Sequence, residues 1–472
     1  MNRPAAAAKF AWLSRITLLG ASMICAASLV LIASRGRAQM FQPDMLQVLL
    51  PFAVGALALA YVALRHSGRA RSLVIRELVL VVVTLLVVET SIAIFSPPTS
   101  SPQLTRAHAA ERLGVPFDLR TKSEVVTQLR AEGADALPGI SLGWPRQAFV
   151  RQQLPEGLYP LSQASGTTIV ECNENGTYQT WKSDELGFNN PAGLVSSGQV
   201  SIAAVGASFT LGHCVSREHS LMGLVRARYG AVANFGMAGG GALTMLGAFR
   251  EYVTPLHPPV VLWVMHPRTA ATEGEMADPV LRRYLEPDFK QDLWARQGEV
   301  DRVWRDISTA VQFEFDRRSL AAIRDAETHR FKGVPLLTEL RDRLHLGGPQ
   351  ASGGGERIDL EPFLQSVRMA RETTRAWGGD FVVVIMPLYE EVIAHQLPPA
   401  LYHDRLASLL RDNQFEVIDA AEFFSRQPDP ARLYTMRVNN HPNEAGYVVL
   451  ANYVMAELGK RLKRLQEREP GS

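Results

Sequence analysis

Apolar residues are unevenly spread along this chain. Three long runs lie before residue 100, at 16–33, 46–64 and 78–95. Each approaches the roughly 20 residues that span a bilayer as a helix. Helix is the expected form, because lipid offers no partner to an unpaired backbone group. The pattern therefore predicts a three-helix transmembrane anchor in residues 1–100. The Lys/Arg bias orients it. Arg3, Lys9 and Arg15 precede the first run, and Arg65, Arg69, Arg71 and Arg76 lie between the second and third. The intervening loop has only Arg35 and Arg37, opposed by Asp44. The N-terminus is thus expected in the cytoplasm and the long remainder outside it. A signal peptide cleaved near Gly36 and Ala38 is the alternative for the first run. It leaves the remainder on the same side. Glu89 falls inside the third run, where a lipid-facing charge costs about 2.5–3.5 kcal/mol or more. It is expected to face another helix or a membrane protein partner, or to be protonated.

The pattern changes after residue 100. Ser96-Pro97-Pro98 ends the last apolar run. Residues 101–195 read as an accessory segment packed on the next domain, with a helix over Thr121–Ala131 and then many turn signals, at Glu174-Asn175-Gly176, Leu186-Gly187-Phe188 and Asn189-Asn190-Pro191. From 196 to 472, short apolar runs alternate with helical spacing. Strands are predicted at 200–205, 232–235, 260–264, 381–386 and 415–418, and helices near 218–229, 242–254, 359–377, 399–412 and 444–463. Such alternation predicts βαβ units: a parallel sheet covered by helices on both faces. Residues 271–358 are charged, helical in pattern and end in Ser352-Gly353-Gly354-Gly355, so they read as a helical insertion with a loop.

Composition narrows the function classes. A 472-residue chain with net charge +2 has no basic stripe interleaved with aromatics, so nucleic acid is not an expected partner. The basic stretch Lys460–Glu469 is mixed in sign and reads as a solvated helix end. Cys172 and Cys214 lie in the part expected in an oxidising compartment, where a disulfide between them and two free thiols are both open. No histidine has metal-ligand spacing with a Cys or carboxylate set, and no cofactor is expected.

Three short motifs carry candidate chemistry. Gly206-Ala207-Ser208-Phe209-Thr210-Leu211-Gly212 follows the first strand of the large domain. Ligands bind beyond the carboxyl ends of strands in open α/β sheets, and Ser208 sits there. Asn234-Phe235-Gly236-Met237-Ala238-Gly239 follows the second strand, where glycine lets the backbone approach a ligand. His441-Pro442-Asn443-Glu444-Ala445-Gly446 precedes the last helix, and a histidine can take a serine's proton and return it to a leaving group. Read singly, these motifs are a tight turn, a strand–helix contact and a helix start. His213 and His266, nearby, read as pocket-lining or surface residues.

Their order makes residues 198–465 resemble the SGNH/GDSL hydrolase superfamily. GASFTLG is similar to its first block, Asn234-x-Gly236-x-x-Gly239 to its second and His441-Pro442-Asn443 to its last. The segments FDLRTKSEV, CNENG and DELGFNNP are similar to those of membrane-anchored bacterial members. The resemblance implies a three-layer α/β/α fold, Ser208 as nucleophile and His441 as general base. It implies Ser208 and Gly239 N–H groups as oxyanion donors. The blocks are degenerate. Ala207 stands where Asp is usual, and no asparagine occupies the third block, where Thr269 is the nearest match. The acid usually just before the histidine is absent, with Asn439 in its region as a group able to orient the imidazole. The implied function is a membrane-anchored esterase or acyltransferase acting on acylated envelope glycans or lipids, in a bacterial inner-membrane protein with a periplasmic domain. The alternative is an inactive SGNH-like domain that binds a glycan or an assembly partner.

Overall fold

A computed structural model describes residues 57–66, 68–95, 102–328, 358–394, 401–438 and 441–466, with Leu337, Leu340 and scattered positions between Trp12 and Ala26. The chain divides into two compact units, residues 1–100 with 323–356, and residues 101–322 with 357–472. In the first, helix α1 (Gly68–Phe95) contains the third apolar run. Glu89 is buried there, and its carboxylate accepts the Leu340 N–H at 2.8 Å. Much of the first two runs, and the Ser352–Gly355 loop, lie outside the described residues. Among the described residues no helix is long and apolar enough to cross a membrane.

The second unit is built on a five-stranded sheet, β4 (Ile202–Gly206), β5 (Val232–Gly236), β6 (Val260–Met265), β7 (Asp380–Ile385) and β8 (Glu416–Asp419). Its spatial order is β5-β4-β6-β7-β8 and every pairing is parallel. The strands are apolar almost throughout because both faces are covered. Alternate residues serve two cores. Ala203, Val205, Trp263, Val383 and Ile385 face one, and Ile202, Ala204, Leu262, Val264, Val382 and Val384 face the other. The first core is closed by helices α6 (Ala242–Ala248), α8 (Glu361–Ala376) and α9 (His403–Asp412). The second is closed by α5 (Leu221–Tyr229) and α10 (Glu444–Gln466), which contributes Tyr447, Leu450, Ala451, Val454 and Leu458. This is the expected α/β/α layering.

The later part of residues 101–195 shares that first core, and Val125, Val126 and Val170 form a small cluster of their own. Leu137, Leu142, Tyr159, Leu161 and Phe188 are buried in the first core. The segment carries helices α2 (Pro102–Leu113) and α3 (Lys122–Ala131) and a small sheet, β1 (Ala136–Pro138), β2 (Thr168–Val170) and β3 (Thr180–Lys182). Thr121 and Glu124 form a reciprocal capping box at the start of α3. Of the charged stretch after 271, helix α7 (Gln297–Thr328) buries Val300, Val303, Trp304 and Val311. Those residues recur at helical spacing, so one face of the helix joins the main core while the other stays charged.

Candidate active site

Strand β4 ends at Gly206, and Ser208 opens the short helix α4 (Ser208–Leu211). The glycines of the first two motifs answer close packing. A Cβ on Gly206 would meet Val264 O at 2.4 Å, and one on Gly236 would meet Leu211 N at 2.5 Å. Asn234 is structural too: its side chain donates to Thr210 O and accepts from Gly236 N–H. The serine turn is thereby fixed between strands. Ser208 is 9% exposed, and as the first residue of a helix its N–H has no intrahelical partner.

His441 arrives from the other side of the sheet's carboxyl edge. Tyr434 bridges Pro442, Thr435 N–H donates to His441 O, and Asn443 N–H donates to Leu433 O. Asn443 then caps α10 by accepting the Gly446 N–H at 2.9 Å. The result brings Ser208 and His441 together, with Nε2 of the imidazole 2.7 Å from the serine Oγ.

The other ring nitrogen meets a residue that sequence reasoning did not assign. Glu174 Oε2 lies 3.0 Å from His441 Nδ1 and also accepts the His441 backbone N–H at 2.9 Å. Its second oxygen accepts from Arg106 of α2 at 2.8 Å. Glu174 lies in the turn between β2 and β3. Asn173 donates to Asp118 O, and a Cβ on Gly176, whose φ is +95°, would lie 2.3 Å from Pro116 O. That glycine is required twice over, by its left-handed backbone and by contact. Asn439, the candidate orienting group, lies outside the described residues.

A disulfide ties the acid to the serine. Cys172 and Cys214 are bonded, with Cα atoms 5.4 Å apart. Asn175 also donates to Cys214 O at 3.3 Å. The bridge therefore spans from two residues before Glu174 to the loop just after α4. Glu171 and His213, each next to one of the cysteines, form a second carboxylate–imidazole pair at 3.2 Å. The His213 ring packs on His441 with centroids 4.6 Å apart, and Phe209 packs on it at 5.3 Å. Glu171 is buried and also accepts from Trp181 Nε1 at 3.3 Å.

Electrostatics set the protonation states. Burial works to raise the Glu174 carboxyl, but the charge and hydrogen bond of His441 and the charge of Arg106 outweigh it and hold the carboxyl well below its usual range. Burial lowers His441 below the ordinary imidazole value, His213 adds to the lowering, and Glu174 opposes both. At neutral pH the imidazole is then neutral. With Nδ1–H donated to Glu174, Nε2 is free to accept the serine proton.

The remaining candidates are placed as follows. Gly239 has φ +73° and is exposed beside the site. Thr269 is buried, and its hydroxyl donates to His266 O at 2.7 Å. Its proton is therefore committed to the backbone, against the expectation that it serves an oxyanion. Burial, then the positive charge of His441 and Arg268, pushes His266 down to about 3. Arg268 pairs with Glu390 at 2.6 Å. Glu174, His213, Cys214 and His441 bring ligand-type atoms within 4.8 Å of one another. They do not fit a metal. The Cys214 sulfur is bonded to Cys172, and both His441 nitrogens are engaged.

Comparison with known proteins adds the following. No family model matches the chain, and no curated protein matches it. Among solved structures, a lipolytic protein of the G-D-S-L family from Desulfitobacterium hafniense is 13% identical with a TM-score of 0.30, over 54% of this chain and 96% of its own. A lipolytic G-D-S-L family member from Veillonella parvula is 13% identical with a TM-score of 0.29, over the same shares.

Proposed function

We propose that this chain is a serine esterase or acyltransferase of SGNH type whose triad is Ser208, His441 and Glu174. The observation that carries the reading is the continuous line of hydrogen bonds from Ser208 Oγ through both His441 nitrogens to Glu174. The chain order here is acid, serine, histidine, and roles in a triad follow geometry and not chain order. In the reaction, Ser208 Oγ attacks an ester carbonyl as its proton passes to His441 Nε2. Glu174 stabilises the imidazolium, and the Ser208 and Gly239 N–H groups are the backbone donors for the oxyanion. Collapse expels the alcohol, which takes the proton from His441 and leaves an acyl-serine. Water or an acceptor hydroxyl, deprotonated by the same imidazole, then attacks the acyl carbon and frees Ser208.

The non-catalytic alternative rests on two absences, the third-block asparagine and the acid before the histidine. Glu174 supplies a carboxylate in the acid's place, which favours the enzyme. The disulfide suits an oxidising compartment. Together with the three apolar runs, it supports a membrane-anchored protein with its active domain on the periplasmic side, acting on acylated envelope glycans or lipids. The test uses the full-length chain with a fluorophosphonate probe, beside Ser208→Ala and His441→Ala. Labelling of the wild type that both variants abolish is expected. An unlabelled but folded wild type would return the reading to a binding domain.

A further inference from the structure

An ester carbonyl under attack gains from every well-aimed donor. The Ser208 and Gly239 N–H groups are two, and the hydroxyl of Thr269, the candidate third, is spent on His266 O. The loop 139–143 of the accessory segment offers another. It is held at several points. Ile140 N–H donates to the Gln163 side chain at 2.9 Å, and the Gln163 amide donates back to Ile140 O at 3.0 Å. Leu142 N–H donates to Ala238 O at 2.8 Å, and the buried Tyr159 hydroxyl donates to Leu142 O at 2.5 Å. The loop is thus joined to the residue just before Gly239.

Between those clamps stands Ser141. A Cβ built on Gly239 would fall 2.1 Å from Ser141 Oγ, so this hydroxyl lies directly against the glycine backbone. It accepts the Gly143 N–H at 3.2 Å. That bond uses a lone pair and fixes the oxygen, leaving the O–H proton to donate elsewhere. Among the described residues this hydroxyl donates no hydrogen bond to a protein group. Ser141 is half-buried and not part of the core.

We infer that Ser141 is a catalytic residue: its hydroxyl donates to the substrate carbonyl oxygen as that oxygen gains charge, beside the Gly239 N–H. The assignment rests on the serine-hydrolase reading above. The accessory segment then supplies two groups to the reaction, the acid Glu174 and the donor Ser141. Gly239 is constrained accordingly, since any side chain there would displace the hydroxyl.

The test measures kcat and KM of the full-length chain on p-nitrophenyl acetate for wild type, Ser141→Ala and Ser141→Thr, with thermal melting and fluorophosphonate labelling alongside. Removing one oxyanion donor costs on the order of 10²-fold in kcat. Ser141→Ala is expected to lower kcat by about that factor with KM little changed and an unaltered melting temperature. Ser141→Thr, which keeps the hydroxyl, is expected to recover most of the rate. A Ser141→Ala variant with wild-type kcat overturns the assignment while leaving the triad intact. A Ser141→Thr variant as slow as Ser141→Ala also overturns it. A folded wild type that neither labels nor turns over ester overturns the hydrolase reading and this assignment together.

Discussion

Replacing Glu174 by Gln removes one charge and almost no volume. Its effect can be sized from the site. The carboxylate sits 3.0 Å from His441 Nδ1 in a buried setting, so it acts on the imidazolium that forms as Ser208 is deprotonated. Charges about 4 Å apart at an effective dielectric near 20 interact by about 4 kcal/mol. At about 1.4 kcal/mol per decade, that is about 10³-fold in rate. Loss of the acid in serine–histidine sites can reach about 10⁴-fold, where the wrong tautomer adds to the lost charge. Arg106 offsets part of the carboxylate's field, which places the expectation for Glu174→Gln near 10³-fold in kcat. Ester hydrolysis by the full-length chain measures it, with His441→Ala as the floor and melting curves to establish folding. The pH profile adds a signed check. Glu174 raises the imidazole pKa against burial, so its neutral replacement moves the acid limb of kcat/KM to lower pH as the rate falls. A folded Glu174→Gln protein within 10-fold of wild type would refute the role of this carboxylate.

Other expectations follow from the same geometry. In the wild type, His441 lies below the ordinary imidazole value of about 6.5, and the base must be neutral. The acid limb of kcat/KM should therefore fall below that pH, and activity should hold through neutrality; a limb centred above pH 7 contradicts the assignment. Cys172→Ser with Cys214→Ser opens a loop spanned by a sequence separation of 42, worth about 4 kcal/mol on the chain-entropy model. It also frees the turn that presents Glu174, so a lower melting temperature and a rate loss of at least about 10-fold are expected, and reductant should do the same. Thr269→Ala is expected to cost about 1 kcal/mol of stability, the worth of one hydrogen bond, and to leave kcat within a few-fold of wild type. A 100-fold fall in kcat would restore Thr269 as an oxyanion donor.

The pairing of Ser208 with His441 could be read from the chain because each stands beside an element with its own signature. Ser208 follows the apolar strand β4, and His441 precedes α10. Period and position carry that information locally. Glu174 could not be found in the same way. It is 267 positions from His441 and belongs to a turn of short strands in a segment with weak periodicity. A signal was present nevertheless. The bond between Cys172 and Cys214 brings residue 174 close to the loop after Ser208, but the two cysteines alone left that pairing open. The stretch after 271 hid its buried residues for a related reason. It reads as a charged helical insertion, and within it Tyr284, Leu293 and Trp304 are fully buried in the main core. Charge along one face of a helix hides the apolar stripe along the other. Ser141 has no local signature at all, because its place against Gly239 exists only once the two segments are folded together.

The most direct measurement of the triad is the covalent intermediate itself. The full-length chain would be mixed with an activated acyl ester, quenched in acid within seconds and digested for mass spectrometry. An acyl group on Ser208 in the wild type, absent in Ser208→Ala and formed far more slowly in Glu174→Gln, is the expected result. Acylation at another residue, or a Glu174→Gln protein that acylates as fast as wild type, would contradict a Ser208–His441–Glu174 site.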